Sequence, residues 1–128
     1  MFEVTLKQLM DLRNLLPEIE KIPLPLKAVY PLTKIKDKAD SNFPFYQEKI
    51  RTIVLDCAEL DEQGNLIQSE NGQGFKLKSD KQVEFFEKMG ELESLSVEIE
   101  GNKIPYAGLE DASFSLDTMT ILLPFIEE

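Results

Sequence analysis

Residues 24–65, LPLKAVYPLTKIKDKADSNFPFYQEKIRTIVLDCAELDEQGN, decide the fold. The run opens on Leu24-Pro25 and closes on the polar turn Asp61-Glu62-Gln63-Gly64-Asn65. Pro25 suits the first turn of a helix, where its missing N–H has no intrahelical partner to lose. Leu26, Val29, Tyr30 and Thr33 are the expected start of that helix's apolar face. Pro31 inside it is expected to kink it. Asp40-Ser41-Asn42 then offers cap residues ahead of Phe43-Pro44, which predicts a break or bend and a new helix from about Pro44. Tyr46, Ile50, Ile53, Val54, Cys57 and Leu60 recur at helical spacing, so this part of the chain has one buried side.

Upstream, Thr5-Leu6-Lys7-Gln8 fits a capping box, with Val4 and Leu9 placed as a hydrophobic staple. Leu6, Leu9, Met10, Arg13 and Leu16 share one face of the helix that follows. Pro17 limits that helix, or a short continuation carries it through Ile19. Downstream, Leu66-Ile67 and Phe75-Lys76-Leu77 flank Asn71-Gly72, a pair suited to a tight hairpin turn. Ser79 is expected to cap a helix from Asp80 to about Glu93. Val83, Phe86 and Met89-Gly90 would face inward, with Phe85 and Leu92 beside them. Asp80, Glu84, Glu87 and Glu91 would form an acidic outer row.

Leu95, Val97 and Ile99 alternate with Ser96, Glu98 and Glu100, as in a half-buried strand. Gly101-Asn102 would turn this strand into Lys103-Ile104-Pro105-Tyr106. Ser115 caps a last short helix, Leu116 to Leu123, with Asp117 well placed in its first turn. These elements predict an α+β fold: one helix-dominated globular domain spanning residues 1–128, with a long or kinked central helix and a small antiparallel sheet.

The chain has 128 residues, 42% of them hydrophobic, enough for one core. Its formal charge is -10, which repels phosphate backbones and anionic lipid heads. Direct nucleic-acid or membrane binding is therefore not expected. The single cysteine, Cys57, allows no internal disulfide. The start MFEVTLKQ does not read as a signal peptide, and no apolar run reaches membrane-spanning length. A cytoplasmic protein is expected.

Two stretches carry a family resemblance. Leu24-Pro25, Lys27, Lys34-Ile35, Phe45-Tyr46-Gln47-Glu48, Arg51 and the closing acidic Gly turn form the first. The second is the tail: Lys81 to Glu93, Leu95-Ser96-Val97-Glu98-Ile99, and Leu122-Leu123-Pro124-Phe125-Ile126. In element order and pattern the chain resembles a family of small uncharacterised phage and prophage proteins. These have a long central helix, an acidic Gly turn and a closing LLPFI-like segment. The resemblance covers most of the chain. Pro31 and Pro44 depart from the continuous helix it implies. It implies a phage or prophage origin in a host of Gram-positive type and carries over no catalytic residues.

The residues themselves point away from catalysis. The sequence holds no histidine, which removes His-dependent triads, His–metal sites and His pH switching. Cys57 lies on the apolar stripe and reads as a small core residue, since a reactive thiol needs a base and an electropositive setting. Glu18/Glu20, Glu59/Asp61-Glu62 and Glu110-Asp111 lack metal-ligand spacing. Gly72-Gln73-Gly74 is only a fragment of a nucleotide fingerprint. No cofactor and no catalytic or metal-binding residue is expected. Two groups remain as partner-binding candidates: the acidic row Asp80, Glu84, Glu87 and Glu91, and the aromatic knob Phe43, Phe45 and Tyr46 around Pro44. The expectation is a non-enzymatic phage or prophage accessory protein with a protein partner, acting as an assembly factor or minor virion component. It would reside in the host cytoplasm or the virion. The alternative is a host-directed inhibitor whose acidic surface mimics DNA.

Overall fold

The structure is a computed structural model that describes residues 1–68, 74–110 and 112–127. Strand β1, Phe2–Thr5, leads into helix α1, Leu6–Ile19, and a long helix α2, Leu26–Cys57. Helix α3 spans Gln82–Glu93 and strand β2 Ser96–Ile99. Strand β3, Ile104–Pro105, precedes helix α4, Leu116–Leu122, and strand β4, Ile126–Glu127. Helix dominates, and β1 and β2 form a small antiparallel two-stranded sheet, so the fold is α+β. The chain divides into two compact units, Met1–Pro44 with Glu93–Glu128 and Phe45–Leu92.

The first unit is organised around α1. Thr5 Oγ1 accepts from the Gln8 backbone N–H at 3.1 Å, and Gln8 Oε1 accepts from the Thr5 N–H at 2.9 Å. That is the capping box expected from the sequence. Val4 and Leu9, the staple pair, are both buried. The buried face is Leu6, Leu9, Met10, Leu12, Leu16 and Ile19. Arg13, expected on that face, is half-exposed and forms an ion pair with Asp40 at 3.0 Å. Pro17 sits inside the helix, which continues through Ile19.

The first half of α2 buries a different face from the expected one. Ala28, Leu32, Ile35 and Ala39 are buried, whereas Leu26 is 83% and Tyr30 67% exposed. The reason is close approach. A Cβ on Gly108 would lie 2.9 Å from Ala28 Cβ, so the chain at Gly108 meets the helix where its side chains are smallest. Lys36 also pairs with Glu20, just past the end of α1, at 2.8 Å.

The break expected at Asp40-Ser41-Asn42 is absent, and α2 runs through both Pro31 and Pro44. The three cap residues are otherwise engaged. Ser41 Oγ and Asn42 Nδ2 each donate back to the Lys38 carbonyl at 2.9 Å, and the Asp40 carboxylate holds Arg13. Side chains bonded backward along the helix are not free to cap a new one.

Strand β2 falls where alternation placed it, with Val97 and Ile99 buried. Its partner is β1, in the register Phe2↔Ile99 to Thr5↔Ser96. It does not turn at Gly101-Asn102 to pair with the next segment; β3 instead pairs in parallel with β4, Ile104 opposite Ile126. Ser115 caps α4 as expected, its Oγ accepting from the Thr118 N–H at 3.2 Å.

The second unit holds the end of α2, three short extended segments and α3. Helix α2 ends at Cys57, earlier than the expected stripe through Leu60. Isolated antiparallel bridges then join Ala58 to Leu77, Leu60 to Leu66 and Gln68 to Phe75. The expected pairing of the Leu66 and Phe75 segments is present, with the Lys76 N–H donating to the Ile67 carbonyl at 2.8 Å. The Asn71-Gly72 turn lies outside the described residues. Residues 58–60 are the unexpected third segment: the Glu59 N–H donates to the Lys76 carbonyl and its carbonyl accepts from the Ile67 N–H.

Candidate functional site

The acidic row and the aromatic knob are the surfaces that the sequence offered for a partner. Helix α3 begins at Gln82, so Asp80 lies in the preceding turn and outside the helical row. Phe85, Met89 and Leu92 form the inward side, at spacings of four and three. Phe85 meets Phe75 edge-on at 5.8 Å between ring centroids. Val83 and Phe86, expected inside, are 71% and 67% exposed. With Phe85 committed inward, its neighbour Phe86 is turned about 100° round the helix, which carries it to the outer side.

The charges on α3 are also rearranged. Glu84 is half-exposed and held between Lys81 at 2.7 Å and Lys88 at 3.1 Å. Lys88 lies a further 3.7 Å from Asp56. Hydrogen bonds from Lys81 and then Lys88 hold the Glu84 carboxyl below the usual glutamate range. The hydrogen bond to Glu84 raises the ammonium groups of both lysines above their usual value. Glu84 is therefore internally neutralised. Glu87 and Glu91 remain on the exposed side with Val83, Phe86 and Gly90. The outer face of α3 is apolar with an acidic border, not a continuous acidic row.

The aromatic knob is divided. Phe43 belongs to the first unit and is half-buried, with the Arg13 guanidinium 3.6 Å from its ring centroid. That contact seats Phe43 against α1 rather than leaving it free for a partner. Phe45 and Tyr46 belong to the second unit. Phe45 is partly exposed, with Lys49 Nζ 5.7 Å from its ring centroid.

Several other chemistry-bearing residues have structural partners, while Asp111 and Gly72-Gln73 lie outside the described residues. Cys57 is a fully buried free thiol. Asp61 Oδ1 accepts from the Gln63 and Asn65 N–H groups at 2.9 Å each, and Gly64 completes that turn with φ +81°. Glu18 pairs with Lys21 and Glu20 with Lys36. Among the described residues no group of three or more Cys, Asp or Glu is placed to hold a metal ion. No helix of the described residues is long and apolar enough to cross a membrane.

Comparison with protein-family models, with curated proteins and with solved structures gives no match. The candidate site therefore rests on its own geometry. The outward turn of Val83 and Phe86 was missed because both were assigned to the core for being apolar. Placing Phe85, Met89 and Leu92 on one helical stripe would have identified it.

Proposed function

We propose that this is a non-enzymatic accessory protein of phage or prophage origin that works by occupying the surface of another protein. It acts as an assembly factor or minor virion component, in the cytoplasm of a bacterial host or in the virion. The origin rests on the resemblance of the central and tail segments. One observation carries the interaction reading: Val83 and Phe86 stand outward on α3. The exposed phenylalanine supports the reading, because aromatic side chains are enriched at interfaces, and Glu87 beside it would select a basic rim on the partner.

The test starts with a partner identified by affinity purification from infected cells and then purified. Titrated against it, the double change Val83→Ser/Phe86→Ser is expected to weaken binding by at least about tenfold, or ~1.4 kcal/mol. The thermal midpoint of the free protein should stay nearly the same. Unchanged affinity would remove the α3 face from the account.

A second reading, a host-directed inhibitor that imitates DNA, is favoured by the formal charge of -10. It predicts that duplex DNA competes for the partner. It also predicts that Glu87→Lys/Glu91→Lys slows association steeply at low salt, where charges act furthest. The apolar reading predicts little response to either.

A further inference from the structure

In a protein of formal charge -10, a gathering of cations stands apart from its surroundings. One exists in the first unit. Lys27 and Lys34 of α2 and Lys103 beyond Gly101 line a cleft of about 300 Å³, together with Tyr30, Asn102 and Glu127. Lys27 and Lys34 are two helical turns apart and project from one side of α2. Among the described residues, no carboxylate lies within ion-pair distance of any of the three ammonium groups. Lys7, Lys21, Lys36, Lys81 and Lys88 differ in each having an acidic partner.

Two of the three lysines are held by contacts that leave their charge available. Lys34 Nζ lies 4.9 Å from the Tyr30 ring centroid, and Lys103 Nζ lies 5.7 Å from that of Phe2. The Lys34 stem is also confined by the loop opposite. A Cβ on Gly101 would come within 3.3 Å of Lys34 Cδ, and Gly101 has φ +103°, a conformation that side chains other than glycine's rarely adopt. Glycine there lets the loop close against the stem of Lys34, which lines the cleft. Among the described residues, Glu127 is the one acidic side chain lining the cleft, against three lysines.

From this we infer that the cleft binds a small phosphorylated ligand. Unpaired lysines on aromatic supports offer point charges to phosphate oxygens. The volume is at the lower end for small-molecule sites. The ring of Tyr30, 67% exposed at the cleft edge, offers a flat surface to a planar group attached to the phosphate. A nucleic-acid polymer is disfavoured, because it would carry its charge across the acidic remainder of the surface. The phosphate is the recognised chemistry, and it can come from a nucleotide or from a bare polyphosphate.

The test is calorimetric titration of the full chain with two probes sharing a diphosphate, ADP and inorganic pyrophosphate, and with a glutamate-rich peptide. Saturable binding of at least one diphosphate is expected, weakening as salt is raised. Lys34→Gln/Lys103→Gln should reduce it at least about tenfold, while Lys7→Gln, on α1, leaves it unchanged. Should the double variant fold poorly, the exposed Lys27→Gln alone should still weaken binding. Tyr30→Ala separates the sources. Loss for ADP but not pyrophosphate identifies a nucleotide, and equal retention identifies the phosphate group alone. The site is overturned if neither diphosphate binds, if binding ignores the lysine changes, or if only the acidic peptide binds. Val83→Ser/Phe86→Ser lies in the other unit and should leave these titrations unaltered, so this cleft and the α3 face stand or fall separately.

Discussion

Cys57 shows how one residue links sequence to packing. It is fully buried on the same helical stripe as Ile53, four positions earlier. A thiol out of contact with water cannot meet a reagent, so it behaves as a small apolar group. Native protein is expected to react slowly with a thiol reagent and quickly once unfolded. Ile53→Ala should lower stability by about 2–5 kcal/mol, as large-to-small changes in a core do. A denaturant midpoint unmoved by Ile53→Ala would show that the stripe is not packed. Glu84 gives a second residue-level expectation. Its carboxyl lies below the usual glutamate range because Lys81 and Lys88 hydrogen-bond its charged form. Such a group stabilises the fold above its unfolded-state value, and that contribution is lost as pH falls through the lower folded value. The lysines behave in the opposite sense: their contribution is present below the unfolded lysine value and lost as pH rises through their raised one. In a carboxyl-carbon NMR titration Glu84 should have a midpoint below the usual glutamate range. Lys81→Met/Lys88→Met should move it back to the ordinary range.

At the scale of elements, α2 departs most from local preference. Pro44 has no N–H to give the Asp40 carbonyl, yet the helix continues through it. A proline in a helix interior costs roughly 3 kcal/mol, so Pro44→Ala should raise the thermal midpoint. A lowered midpoint would mean that the ring itself packs in a way alanine cannot replace. Thr5→Ala should act in the other direction, losing about 1 kcal/mol with the capping box. The cap was legible because all its parts lie within four residues. The same holds for the Ser115 cap and for the alternation of Val97 and Ile99. Features set by distant chain were not legible. The buried side of α2 runs through Ala28 because Gly108, far along the chain, comes close there, whereas hydrophobicity alone points to bulky Leu26 and Tyr30. Helix α3 was misread for the same reason: hydrophobicity alone put Val83 and Phe86 inside, while Phe75 in fact selects Phe85. Of the candidate site, Glu87 and Glu91 were placed correctly on the exposed side. The neutralisation of Glu84 depends on lysine side-chain directions that spacing alone does not fix.

Across the whole molecule the two units differ in how much apolar side chain they bury. Much of α1, the first half of α2, β2 and the tail contribute buried residues to the first unit. In the second, the buried hydrophobic residues among those described are Ile53, Cys57, Ala58 and Leu92, supplemented by the Phe75–Phe85 ring pair. Regions with fewer buried apolar side chains open at lower free energy. Native-state hydrogen exchange should therefore show less protection for amides of α3 than for those of α1. Equal protection would mean that the chain opens as one cooperative body. The same division bears on synthesis. The second unit is a continuous stretch, Phe45–Leu92, whereas the first is assembled from both ends of the chain. Its sheet joins residues as far apart in the chain as Phe2 and Ile99. As the chain leaves the ribosome, β1 emerges first but has no strand to pair with until β2 follows. The inner unit can thus fold while the outer one is still waiting. During that interval β1 and the apolar face of α1 are open to chaperones or to another nascent copy, and the rate of translation between β1 and β2 sets how long that lasts.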